Sequence, residues 1–145
     1  MRLRKRAGMT GLAVLVIALV SCGTGDAVHV AAPTVDTATS GATRLIGPGE
    51  FAAAIADPAR VTINVHVPFE GDIPGTDLSI PFDQIVQRAG ELPTNKNTPL
   101  AVYCRSGPMS TTAASALREL GYTDVVELQG GMRSWQQSGR RLDGV

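Results

Sequence analysis

The chain has only two cysteines, Cys22 and Cys104, in 145 residues, and no Cys-x-x-Cys pair. That leaves dithiol redox chemistry of the thioredoxin kind without support. With only two histidines besides, the chain lacks any clustered zinc-ligand spacing. Aromatic residues are scarce, at 4%. No acidic residue precedes Asp26, while Arg2, Arg4, Lys5 and Arg6 crowd the start. Formal net charge is zero, but without residues 1–21 only 9 basic side chains face 13 acidic ones, a net of −4. A mildly acidic domain lacks the basic patch that nucleic acid rewards, so a nucleic-acid partner is not expected. Internal repeats and strong low-complexity tracts are absent too.

What is present begins with "MRLRKRAGMTGLAVLVIALVSCG". A basic stretch precedes an apolar run from Gly11 to Val20. That run is far short of the roughly 20 residues a spanning helix needs. It has the layout of a secretory signal peptide. Leu19-Val20-Ser21-Cys22 resembles the bacterial lipobox, whose cysteine takes a diacylglyceryl thioether and becomes the mature N-terminus. Acyl chains contribute about 0.8 kcal/mol per buried CH₂, so two or three of them anchor a protein stably. The expectation is a signal peptide over 1–21, lipidation of Cys22, and a location on the cell membrane facing outside the cytoplasm. Cys104 is then the only free thiol.

Residues 22–42 are small, polar and aperiodic, the composition of a flexible tether. About 20 such residues reach roughly 25 Å on average. From Thr43 to Val145 the pattern changes to that of one domain. "TRLI" reads as a short strand, and "GPGEFAAAIADP" as a short helix stopped near Asp57-Pro58. "VTINVHV", "PLAVY" and "DVVELQ" read as strands, with Leu78-Ser79-Ile80 a further short one. Phe82, Ile85, Val86 and Ala89 have helical spacing, as do Ala113, Ala116, Leu117 and Leu120 in a helix starting near Met109 or Ser110. "GGMRSWQQSG" predicts a glycine turn and one or two helical turns. Strands alternating with helices of this length define the α/β class with a mostly parallel sheet. Ligands bind such sheets at the carboxyl ends of the strands. Cys104 stands there, between "PLAVY" and a helix.

A lone cysteine is often a small buried hydrophobe. Arg105, Ser106 and Gly107 beside this one are polar or flexible instead. Gly107 permits a tight turn that points successive N–H groups inward, and the following helix directs its positive end at the same spot. Both effects favour an anion and shift a thiol towards its reactive thiolate. An anion cradle around a thiolate suits sulfur transfer through a persulfide, or phosphate and arsenate ester chemistry.

Three stretches share a resemblance. "YCRSGPMS" resembles the Cys-Arg-Ser-Gly-x-x-Ser loop of single-domain rhodanese-like sulfurtransferases. "INVHVPFEGDIPGTDLSIP" resembles that family's Ile-Asp-Val-Arg, Glu, Gly-His-Ile-Pro-Gly and Ile-Pro sequence. "LQGGMRSWQQSG" resembles its closing Gly-Gly-x-x-x-Trp-x-x-x-Gly. The three occur in family order over about 100 residues, and an ordered set of this kind carries far more weight than one motif. The resemblance implies a five-stranded, mostly parallel sheet flanked by helices. It implies that Cys104 accepts sulfane sulfur from a donor such as thiosulfate, holds it as a persulfide, and passes it to a thiol or cyanide. It assigns Arg105, Ser106, Gly107, Met109 and Ser110 to the substrate or anion-binding loop, with N–H groups between Arg105 and Ser110 stabilising the sulfur. No metal and no cofactor is implied, and no protein partner is named.

Several positions depart from the family pattern. Asn64 replaces the usual Asp, His66 the usual Arg, and Asp72 the usual His; Pro108 cannot donate a hydrogen bond and Met109 stands where Arg is common. The pocket is expected to be less cationic than in typical members. These departures motivate the alternative of a catalytically weak binding or scaffold lipoprotein. A phosphatase or arsenate reductase would resemble Cys-x₅-Arg, but the clamping position is Ser110. His66 is expected beside Glu70 at a strand end, Trp135 against the sheet, and Arg118 and Glu119 on a solvated helix face.

Overall fold

A computed structural model describes residues 43–145. Five strands, β1 (Arg44–Ile46), β2 (Val61–Asn64), β3 (Leu78–Ser79), β4 (Leu100–Tyr103) and β5 (Val125–Leu128), form one sheet. Their order is β1-β5-β4-β2-β3 and every pairing is parallel. Three helices accompany them: α1 (Pro48–Ile55), α2 (Pro108–Glu119) and α3 (Gly131–Gln137). The fold is the expected α/β class with five strands. Among the described residues no helix is long and apolar enough to cross a membrane.

The central strands β4 and β5 are buried along their whole length, which explains their near-continuous apolar runs. Side chains alternate between the two faces of the sheet. Leu100, Val102 and Cys104 pack on one face with Ile63, Val65 and the α2 residues Ala113, Ala114 and Leu117. Ala101 and Tyr103 pack on the other with Val126, Leu128, Phe51 of α1, and Met132 and Trp135 of α3. Trp135 thus packs as expected.

The amino ends of the strands are closed by Arg60. Its guanidinium donates to the carbonyl of Leu100 at 2.9 Å and pairs with Asp124 at 3.0 Å. The carboxyl ends carry the loops after Asn64, Tyr103 and Leu128.

Three expectations need correction. Residues 82–91 do not form a helix; they run through turns to one 3₁₀ turn at Ala89–Glu91. Ile85 is buried but Val86 is 58% exposed, so the apolar spacing never becomes one buried stripe, and Gly90 weakens any helix there. The strand expected over Val61 to Val67 ends at Asn64, whose side chain turns to bond the following loop. Helix α2 begins at Pro108, earlier than Met109 or Ser110. Proline suits that first position because its missing N–H would have no intrahelical partner.

Candidate active site

Cys104 follows β4 directly, and α2 starts four residues later. Gly107 makes the turn between them with φ +122°, a conformation L side chains rarely adopt. This turn brings the Gly107 N–H to 3.0 Å from Cys104 Sγ. Ser110, on the first turn of α2, places its Oγ 3.5 Å from the same sulfur. The cysteine itself is 2% exposed and belongs to the α2-side core. The sulfur therefore lies beneath its loop, held between one backbone donor and one hydroxyl.

The other loop residues have distinct positions. Arg105 is half-buried and turns its guanidinium to the Glu70 carboxylate. Ser106 is exposed, and Met109 is half-buried against the α2-side core. Of the N–H groups from Arg105 to Ser110, that of Gly107 reaches the sulfur within hydrogen-bond distance. The cradle is thus narrower than the family loop implied. Arg105, the cation next to the thiol in sequence, is paired with Glu70. Cys22 lies outside the described residues.

A second loop supports the first from behind. Met132 and Arg133, at the start of α3, donate their N–H groups to the carbonyls of Cys104 (2.9 Å) and Arg105 (3.1 Å). These are amides that a helix leaves unpaired at its first turn. The approach requires Gly131: a Cβ there would come within 2.7 Å of the Arg105 carbonyl oxygen, and its φ is +59°. The Gly-Gly pair is therefore a seat for the cysteine loop as well as a turn.

Three of the family departures, Asn64, His66 and Asp72, are joined by hydrogen bonds. Asn64 Nδ2 donates to Asp72 Oδ1 at 2.8 Å and to the Gly71 carbonyl at 3.1 Å, while Asn64 Oδ1 accepts from His66 N–H at 2.9 Å. Asp72 also accepts from Tyr103 Oη at 3.1 Å. An amide–carboxylate bond thus joins two of the substituted positions. His66 Nε2 is 3.6 Å from Glu70 Oε2, beside it as expected but too far for a hydrogen bond. Both ring nitrogens are buried without a partner. Burial, and then the positive charge of Arg105, lower its pKa from 6.5. Burial likewise holds the Tyr103 phenol well above its ordinary value.

Sequence reasoning missed Glu127. It sits on β5, 4% exposed, facing α2. Its Oε1 lies 2.7 Å from Ser110 Oγ and 2.8 Å from Thr111 Oγ1. The signal was a single charge inside the buried strand "VVEL", a place where an acid rarely stands without partners. Among the described residues no group of three or more His, Cys, Asp or Glu could hold a metal ion.

A parallel α/β sheet with one cysteine at the carboxyl end of its central strand, beneath a helix start, defines a class of cysteine-loop proteins. Residues 57–138 match the rhodanese-like domain, and the chain belongs to that family. It is 35% identical over 80 residues to a sulfurtransferase of Allochromatium vinosum, covering 53% of this chain and 72% of that protein. It is 33% identical over 86 residues to the uncharacterized protein YqhL of Bacillus subtilis, covering 59% of this chain and 67% of that one. Among solved structures, a rhodanese-related protein of Thermoplasma volcanium superposes with TM-score 0.58 at 27% identity, covering 68% of this chain and 96% of that one. The rhodanese-like domain of Anabaena Alr3790 gives 0.62 at 23% identity over 72% and 81% of the two chains, a likeness of fold. These relatives place the chain with the sulfurtransferase family.

Proposed function

We propose that the protein is a membrane-anchored sulfurtransferase whose Cys104 carries sulfane sulfur as a persulfide. The observation that carries this is the Gly107 N–H at 3.0 Å from Sγ, at the end of a central parallel strand and beneath the start of α2. A preorganised donor there stabilises negative charge on sulfur without reorganising. In the first half-reaction the Cys104 thiolate attacks the outer sulfur of the donor. The donor's S–S bond breaks, its electron pair leaves with the remainder (sulfite, for thiosulfate), and a Cys104 persulfide forms. In the second, an acceptor thiolate or cyanide attacks the outer persulfide sulfur and Cys104 departs as thiolate. Covalent catalysis of this kind uses one cysteine and no cofactor. The burial of Cys104 restricts attack to a slim terminal sulfur. The anchor is the lipidated Cys22, with residues 22–42 as tether, holding the domain on the outer side of the cytoplasmic membrane.

A binding or scaffold lipoprotein is the second reading. It is favoured by the 2% exposure of Cys104 and by the pairing of Arg105 with Glu70. Turnover separates the two. The full chain, supplied with thiosulfate and cyanide or a small thiol, is expected to transfer sulfur, and Cys104→Ser to transfer none. Absence of transfer with several donors, while Cys104 still alkylates, favours the scaffold. Cys22→Ala is expected to move the protein out of the membrane fraction; its continued retention there would contradict lipid anchoring.

A further inference from the structure

The thiol and the guanidinium that follows it in sequence are directed to opposite sides of the sheet. Cys104 Sγ belongs to the α2-side core, beside Ser110. Arg105 lines a cleft of about 380 Å³ whose apolar wall, Met132 and Leu142, belongs to the α3-side core. Glu70 stands in the same cleft and takes that guanidinium. Hydrogen bonds on two sides fix the loop that carries it. Asp72 and Asp143 exchange backbone N–H···O bonds at 2.8 and 2.7 Å, and the Gly71 carbonyl accepts from Asn64 Nδ2 at 3.1 Å. His66 does not compete for the carboxylate as a cation, because burial, and then the charge of Arg105, lower its pKa from 6.5.

What remains at the sulfur is weakly positive. The Gly107 N–H donates at 3.0 Å. The start of α2 contributes the equivalent of roughly half a charge. Pro108 has no N–H to add, and Met109 brings a thioether packed against the core. Glu127, behind Ser110, is no cation in either protonation state. Among the described residues, no Lys or Arg side chain bonds Cys104 Sγ or Ser110 Oγ. Arg133 lines the α3-side cleft with Arg105. A sulfur donor brings its own charge into this setting. Thiosulfate carries two negative charges; an organic hydropersulfide or thiosulfonate carries one or none. The donors at the loop suit one such charge, and a second finds no partner.

We propose that Glu70 is a positioning residue that determines donor specificity: by holding Arg105 in the α3-side cleft, it matches the Cys104 loop to organic sulfane-sulfur donors of at most one negative charge, over dianionic thiosulfate. The proposal rests on the persulfide reading and names its donor class; thiosulfate becomes the slower donor. With a thiosulfonate, the Cys104 thiolate attacks the terminal sulfur, the S–S bond breaks, and a sulfinate leaves with the electron pair. With a hydropersulfide the leaving group is the organic thiolate.

The test compares two donors nearly alike in shape: thiosulfate, and methanethiosulfonate, in which a methyl group replaces one charged oxygen. The reduced full chain meets each donor, is labelled with iodoacetamide and is digested. Trypsin places Cys104 in the peptide Asn97–Arg105, so mass spectrometry reads its gain of sulfur separately from Cys22. The quantity measured is the ratio of loading rates, thiosulfate over methanethiosulfonate. In Glu70→Gln the released guanidinium is expected to raise that ratio about tenfold, the effect of one charge contact in a partly screened site. Glu70→Asp keeps the charge and should stay nearer the parent ratio. A loosened loop would move both donors together and leave the ratio unchanged, and that result overturns the proposal. Adding Arg105→Gln to Glu70→Gln should return the ratio to the parent value, read on the peptide Asn97–Arg118. A ratio that stays high there would assign the effect to the lost carboxylate charge alone and contradict the holding of Arg105. Should Glu70→Gln fail to fold, the parent chain carries the test. Its ratio should lie about tenfold below that of a small free thiol in solution; equality or excess overturns the proposal. Loading from neither donor would overturn the persulfide reading itself, and the proposal with it.

Discussion

The two faces of the sheet are made of different material. Under α1 and α3 the core is aromatic: Phe51 packs edge-on against Tyr103 and Trp135, with ring centroids 6.2 and 6.4 Å apart. Under α2 the core is mainly aliphatic, with Tyr122 buried in it and Phe82 against it, and it also holds a polar inset of Cys104, Ser110 and Glu127. Three of the chain's six aromatics pack together on the face without the thiol. The difference teaches a division of labour. Large rings bury much area and fix one arrangement, while small side chains leave room near α2 for hydroxyls and a sulfur. Tyr103 joins the two: its ring packs on the aromatic face, and its hydroxyl meets Thr76, the Ile73 N–H and Asp72 at the carboxyl end.

Breaking the aromatic face should cost most stability and touch the thiol least. Phe51→Ala is expected to lower unfolding free energy by about 3–5 kcal/mol, measured by denaturant unfolding, while Cys104 labelling in the folded fraction stays close to the parent rate. Strong acceleration of labelling would mean that the two faces are coupled. Gly131→Ala attacks the seam between them. It forces a Cβ against the Cys104 and Arg105 carbonyls at positive φ, and should lose about 2–3 kcal/mol. Here labelling of Cys104 should change as well, because its loop has lost its seat.

Asn64→Leu probes the carboxyl-end network from β2. It leaves Asp72 Oδ1, the Gly71 carbonyl and the His66 N–H short of a partner, and about 1–2 kcal/mol should be lost. Asn64→Asp would set two carboxyl groups together, so its loss should shrink as pH falls and one of them takes a proton. A pH-independent loss would contradict the amide–carboxylate bond. The smallest effect belongs to His66. Its folded pKa lies below 6.5, from burial and then Arg105. Between that lowered value and 6.5 the unfolded chain binds more protons, so stability rises with pH through this window and levels off above it. Unfolding midpoints measured across the window should show the rise, and His66→Gln should flatten it.

Much of this was legible. β4, β5 and α2 announce themselves because short apolar runs and helical alanines mark them, and Gly107-Pro108 after Cys104 marks the joint. The cysteine's place at a strand's carboxyl end follows from the alternation of elements. What stayed hidden depends on tertiary contacts. Phe82 to Glu91 has helical spacing, yet its ends are pinned to the sheet: Phe82 N–H bonds the Val65 carbonyl, and Leu92 is buried. Turns satisfy both anchors where a helix would not. Arg105 looked like a charge for the pocket, but Glu70, far away in sequence, takes it. Glu127 became a site residue only because register sets β5 beside the first turn of α2.

The central claim is that the thiol beneath this loop carries sulfur. The most direct measurement is the mass of the Asn97–Arg105 peptide after the reduced full chain meets a sulfane-sulfur donor such as thiosulfate. The account predicts a gain of one sulfur atom, removed by added thiol and absent in Cys104→Ser. An unchanged mass across several donors would contradict it, and sulfur retained in Cys104→Ser would place the chemistry elsewhere.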